Sequence, residues 1–195
     1  MKAVLASRNR NKLAELNEIL SGLGIEVVSQ DELGVDLEVE ETGSTFEENS
    51  LLKASAVCER TGLPAIADDS GLVVDALGGE PGVHSHRYGS PDLDDAGRTA
   101  LLLRNMEGKT DRSCRFVCVI TCCFPDGRKV VARGVCEGEV ASAPAGENGF
   151  GYDPVFYLPE LGKTFAQLDS GEKNAVSHRG RALRQLAELL RQEKL

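Results

Sequence analysis

The chain has no apolar run long enough to cross a bilayer. Its longest runs, such as Val117 to Ile120, fall far short of the roughly 20 residues that a spanning helix needs. The opening stretch turns basic too soon to form the apolar segment of a secretory signal. The expectation is therefore a cytoplasmic protein with no membrane partner. Positive charge is also scarce: Lys and Arg total 22 against 31 Asp and Glu, for a net charge of −9. A duplex-binding face needs surplus cations to replace the counterions along the phosphates, so nucleic acid is excluded as a partner. A small phosphorylated ligand stays open, provided that local cations and a metal offset the field of the whole protein. There is no internal repeat, low-complexity tract or Pro/Gly/Ser-rich linker. The six cysteines (Cys58, Cys114, Cys118, Cys122, Cys123 and Cys136) show neither zinc spacing nor a CxxC pair. Cys114, Cys118 and Cys122 lie at even offsets and would share one face of a strand. They read as small buried hydrophobes of a reducing compartment, the alternative being a metal or redox role.

What is present suits one large domain or two tightly joined lobes: 195 residues, 41% of them hydrophobic, enough to bury a core. Residues 2–6 and 25–29 read as strands. Leu13, Leu16, Ile19, Leu20 and Leu23 between them recur at helical spacing, and Gly22 and Gly24 supply the stop. Thr45 with Glu48, or Ser44 with Glu47, marks the start of a helix running to about Arg60. Residues 64–68 and 71–77 read as two short apolar runs parted around Asp69 and Ser70. A helix is expected over 92–106, and two strands over 113–124 and 129–141 joined by a Pro-Asp-Gly-Arg turn. A short strand follows at 154–157, then an amphipathic helix over 177–194 with Leu183, Leu186, Leu189 and Leu190 inward. This mixture predicts an α/β protein with a mixed sheet.

Several groups of residues carry chemistry. Ser7, Arg8, Asn9, Arg10, Asn11 and Lys12 sit between the first strand and first helix. Such a turn aims backbone N–H groups and the positive dipole end at one point, a ready phosphate site. It lacks the glycines of a Walker loop, and an ordinary helix cap with surface cations is the plainer reading. Glu40 and Glu41, then Thr42 and Gly43, offer hard oxygen ligands suited to Mg²⁺, although taken alone such a pair is more often a solvated loop; Lys53, on the helix that follows, faces either solvent or a phosphate. Asp68 and Asp69 fall at the end of a strand, where α/β proteins place their sites. Adjacent strand residues face opposite ways, so the pair shares one site only if the chain turns at Ser70-Gly71. Gly149, Phe150, Gly151, Tyr152 and Asp153 combine close backbone approach with an aromatic face for a base, or form a rigid loop whose rings fill the core. Lys173, Ser177, His178 and Arg179 gather hydrogen-bond donors near the start of the last helix.

In this order and spacing, Ser7-x-Asn9-x-x-Lys12, Glu41-Thr-Gly-x-Thr-Phe, Ala67-Asp-Asp-Ser-Gly-Leu, Phe150-Gly-Tyr-Asp-Pro and Ser177-His-Arg resemble the non-canonical purine nucleoside triphosphate pyrophosphatases. The likeness runs from residue 2 to about 190, with departures at His84, His86 and Gly89-Ser90. It implies one domain over residues 1–195, with a long mixed β-sheet and flanking helices forming two lobes around a central cleft. A homodimer, a Mg²⁺ requirement and hydrolysis of ITP, dITP and XTP to monophosphate and pyrophosphate are also implied. Carried over by residue, Ser7 to Lys12 and Lys53 hold the triphosphate and Ser70 contacts substrate. Glu41 and Asp69 hold the metal and Asp69 is the assigned proton acceptor. A carboxylate bound to Mg²⁺ is a weaker base, so the alternatives are that Asp69 orients a metal-bound water or that Asp68 shares the work. Strand geometry gives Asp68 a supporting part unless the turn at Ser70-Gly71 brings it round. Phe150, Gly151, Tyr152, Asp153, Lys173, His178 and Arg179 form the base pocket. The rivals are a pyrophosphatase of modified pyrimidine nucleotides and a nucleotide sensor without turnover.

Overall fold

The computed structural model describes residues 1–193, the side chain of Asn11 excepted. Its strands are β1 (Lys2–Leu5), β2 (Glu26–Ser29), β3 (Ala65–Val74), β4 (Ser113–Cys123), β5 (Lys129–Val140), β6 (Phe156–Leu158) and β7 (Lys163–Thr164). Its helices are α1 (Arg10–Leu20), α2 (Phe46–Thr61), α3 (Asp95–Asn105), α4 (Ser170–Val176) and α5 (His178–Gln192). The strands form one sheet in the order β2-β1-β3-β4-β5-β6-β7. β1 is parallel to both β2 and β3, whereas β6 is antiparallel to β5 and β7, so the sheet is mixed as expected. No helix among the described residues is long and apolar enough to cross a membrane.

The chain divides into two compact units. The first comprises Met1–Asp69, Cys118–Gly134 and the chain from Arg181; the second comprises Ser70–Val117 and Val135–Gly180. In the first, strand alternation sends side chains to two helical layers. Ile66, Leu5 and Ile120 pack with Leu16 and Leu20 of α1 and with Leu183, Leu186 and Leu190 of α5. Ala65, Ala67 and Val4 pack with Ala54, Val57 and Cys58 of α2. In the second unit, Phe116, Phe156 and Phe165 anchor the core, with ring centroids 4.6–5.8 Å apart, beside Leu72, Val74 and Leu102. All six cysteines are buried and none forms a disulfide, which fits the reading as small hydrophobes. Burial pushes the Cys114 and Cys122 thiols up to about 12.

Several elements differ from expectation. The two apolar runs around Asp69 are one unbroken strand, β3, which passes through Asp68, Asp69, Ser70 and Gly71 without turning. Gly71 is compatible with extended backbone, and the apolar residues on either side carry the pairing across the acids. The third helix starts at Asp95 rather than Asp92, because the Asp94 carboxylate accepts from the Gly97 N–H at 2.7 Å and caps it there. The strand expected at 154–157 begins at Phe156, after a single 3₁₀ turn that contains Pro154. The expected tail helix is present as α5, and an additional short helix, α4, precedes it, since Asp169 and Glu172 form a reciprocal cap that starts it. Lys194, the expected end of the last helix, lies outside the described residues.

Candidate active site

The straight course of β3 decides the acidic site. Ile66 and Asp68 point to the α1 face; Ala65, Ala67 and Asp69 point to the α2 face. Asp68 therefore meets α1, where its Oδ1 accepts from Lys12 Nζ at 2.8 Å in a largely buried pair. Asp69 meets α2 instead, and the expected sharing of one site through a turn does not occur. Asn49 and Lys53, one helical turn apart, lie on the same stripe of α2. Asn49 Nδ2 donates to Asp69 Oδ2 at 3.2 Å, and Lys53 Nζ lies 3.7 Å from Asp69 Oδ1. The same ammonium donates to Glu41 Oε1 at 2.5 Å, so two carboxylates from distant segments converge on one cation.

Asn49, fully buried, was absent from the sequence-derived candidates. Its Oδ1 accepts from the Gly43 N–H at 2.8 Å while its amide holds Asp69. It thus ties the Glu41 loop to the strand. A Cβ on Gly43 would stand 2.6 Å from Asn49 Oδ1 and 2.7 Å from Glu48 Cβ, so only glycine allows this approach. The cue in the sequence is an amide one turn before Lys53 on the helix. Thr45 caps α2, accepting from the Glu48 N–H at 3.1 Å, and Glu48 reaches back to the backbone and hydroxyl of Ser44. Burial pushes the Asp69 carboxyl up to about 6. Lys53 opposes this shift, Glu41 adds to it, the Asn49 amide opposes it and Asp68 adds to it, in falling order.

The loop before α1 is organised as a turn. Ser7 Oγ accepts from the Asn9 N–H at 3.2 Å, and Asn9 Oδ1 accepts from the Lys12 N–H at 3.3 Å. Those two oxygens are thus committed within the turn. Arg8 pairs with Asp31 at 3.4 Å and with Asp36, Arg10 is exposed, and the Asn11 side chain lies outside the described residues. Ser70, next after Asp69 on β3, is half-buried.

The second unit carries a separate aromatic and cationic corner. Phe150 is 53% exposed, with Lys173 Nζ 4.9 Å and Arg179 Cζ 5.8 Å from its ring centroid. Asp153 accepts from the Phe150 N–H at 2.9 Å and from Lys173, which orders both. At Gly149 φ is +76°, and a Cβ would lie 2.0 Å from Asp153 Oδ2, so glycine is required there. Gly151 follows in the same left-handed region. The side chain of Tyr152 braces this loop from the core and donates to the Ser85 carbonyl at 2.8 Å. Ser177 Oγ accepts from the Gly180 N–H at 3.1 Å, so His178 and Arg179 fall in the first turn of α5. The His178 ring lies nearly parallel to Phe116, 4.7 Å between centroids.

A pair of carboxylates converging on a lysine beside an α/β sheet is chemistry suited to a phosphorylated substrate and a hard cation. The model of the Ham1 family matches residues 3–189, and the chain belongs to that family. It is 54% identical to the dITP/XTP pyrophosphatase of Nitratidesulfovibrio vulgaris, over 95% of this chain and 94% of that one. It is 50% identical to the dITP/XTP pyrophosphatase of Geobacillus kaustophilus, over 95% and 92%. The Staphylococcus aureus Ham1 protein superposes with a TM-score of 0.94 at 44% identity, over 99% of this chain and all of the other.

Proposed function

We propose that the protein hydrolyses non-canonical purine nucleoside triphosphates (ITP, dITP and XTP) to the monophosphate and pyrophosphate, clearing them from the nucleotide pool. The observation that carries this reading is the convergence of Glu41 and Asp69 on Lys53, with Asn49 locking both acidic segments. Family membership and relatives named as dITP/XTP pyrophosphatases support it. Among the described residues no cluster of three or more His, Cys, Asp or Glu is set to cage an ion. Two carboxylates with water completing the shell suit Mg²⁺, which is commonly held by one or two such groups plus substrate phosphates. Glu41 and Asp69 would hold it, and its charge would stabilise the phosphoryl oxygens as negative charge develops.

Water attacks the α-phosphorus, the bond to the bridging oxygen breaks, and the electron pair leaves with pyrophosphate. Asp69 takes the proton of the attacking water, and Asn49 fixes the orientation of its carboxylate. Lys53, Lys12 and the donors of Ser7 to Asn11 bind the triphosphate, and Ser70 contacts the substrate. Positioning and cations supply most of the rate in such a transfer. Asp68 serves by holding Lys12 in place. In the second unit Phe150 stacks on the base, Asp153 and Lys173 order that ring, and His178 and Arg179 donate to the 6-oxo group of hypoxanthine or xanthine. Gly151 and Tyr152 shape the loop. Adenine carries an amino donor at that position and would leave those donors unmatched. The homodimer and a cytoplasmic location belong to the same reading, and size-exclusion chromatography with light scattering tests the dimer.

The deciding assay incubates the protein with Mg²⁺ and ITP, XTP, dITP, dTTP or ATP, and separates pyrophosphate from phosphate. Pyrophosphate from the three oxo-purines, well above ATP and dTTP, is expected. Phosphate as the product, preference for dTTP, or no turnover of any of them would overturn the proposal.

A further inference from the structure

Phe150 is exposed, and an exposed ring on a glycine-flanked loop has no fixed direction unless its backbone is held. Gly149 and Gly151 both sit at positive φ, so the local chain imposes little order of its own. Asp153 holds the Phe150 N–H from inside the loop. A second set of bonds comes from α3, which no sequence motif marks. Asp95 Oδ2 accepts from the Gly151 N–H at 2.9 Å, and the Thr99 hydroxyl donates to the Gly151 carbonyl at 3.3 Å. Both faces of one residue are therefore gripped by side chains one helical turn apart. Arg98 donates to Asp95 Oδ1 at 3.1 Å and braces the gripping carboxylate. Thr99 is buried, and the first turn of α3 is fixed by the Asp94 cap. The anchor is thus a rigid element rather than another loop.

We propose that Asp95 and Thr99 are positioning residues that clamp Gly151 and so set the direction of the Phe150 ring on which the base stacks. They touch no substrate. Their effect is pre-organisation: a ring already in place loses little freedom when a base arrives. Loosening the clamp should weaken substrate binding while the chemical step, carried by the first unit, proceeds at its usual rate. The proposal rests on Phe150 being the base-stacking ring, so its test has an arm that needs no substrate.

The chain contains no tryptophan, so Phe150→Trp places a single indole reporter on the loop. In that background Asp95→Ala and Thr99→Val should each lower the fluorescence anisotropy of Trp at 150, while Asp95→Asn and Thr99→Ser, which keep an acceptor and a hydroxyl, should restore it. In the chain with its native Phe150, Thr99→Val should raise KM for ITP about five-fold with kcat nearly unchanged, the scale of one net hydrogen bond. With Phe150→Ala already present, the same change should have no further effect on KM. Unchanged anisotropy in both Asp95→Ala and Thr99→Val would overturn the clamp, whatever the substrate. A fall in kcat without a change in KM, or an undiminished effect in the Phe150→Ala background, would also overturn it. Lowered anisotropy in a protein that turns over no oxo-purine would leave the clamp standing and sink the functional reading instead.

Discussion

Asp69 is held by charge and burial in opposition. Its folded carboxyl, near 6, lies above its ordinary 3.8, mainly because burial disfavours the anion. In the metal-free protein the folded state thus keeps a proton that the unfolded chain releases between about pH 4 and 6. Stability contributed by the neutral acid is complete below that window and lost as pH rises through it. The gap sets a ceiling on the order of 3 kcal/mol. Asp69→Asn should therefore abolish this slope, melt higher than the parent at pH 7 to 8 without metal, and lose at least about 100-fold in kcat. Thermal melts across pH, paired with turnover, check both; near-normal kcat would remove Asp69 from its role. Arg179 is tested differently, because its proposed partner is the base. Arg179→Ala should reduce the kcat/KM ratio for ITP over ATP about ten-fold, as expected for one charged donor. An unchanged ratio would count against the assignment.

At the scale of elements, β3 and α2 make the site together. The strand separates neighbouring acids to opposite faces, and the helix repeat returns Asn49 and Lys53 to the same face to meet one of them. Gly43 closes the arrangement by letting the Glu41 loop approach α2. Gly43→Ala would force its Cβ into Asn49 and Glu48, moving the loop or the helix. We expect a loss of about 1–3 kcal/mol in stability and about ten-fold weaker Mn²⁺ binding by calorimetry, in line with disturbance of groups that orient metal ligands. Full affinity in this variant would show that the Glu41 loop does not depend on Asn49 for its position.

At the scale of the whole molecule, the six thiols test the packing. All are buried, and Cys114 and Cys122 are pushed up to about 12, far from reactive thiolate. A disulfide-exchange reagent at pH 8 should find no rapidly reacting thiol in the native protein and six after denaturation; fast native labelling would expose a mobile strand β4 or β5 or helix α2. The acidic balance, the mixed sheet, the turn before α1 and the residues around Phe150 were legible in the chain itself, because composition and local spacing express them directly. Even the separation of Asp68 from Asp69 followed from the period of a strand, although an interruption at Ser70-Gly71 was expected there. Asn49, Asp95 and Thr99 were not legible. Each acts through a partner 20 to 56 residues away, and their types are common on helices. The sequence by itself determined which acids, cations and aromatic ring the protein possesses. Only the tertiary structure decided which acid meets which lysine and what holds the ring, because those pairings depend on the faces that distant helices present to a strand or a loop.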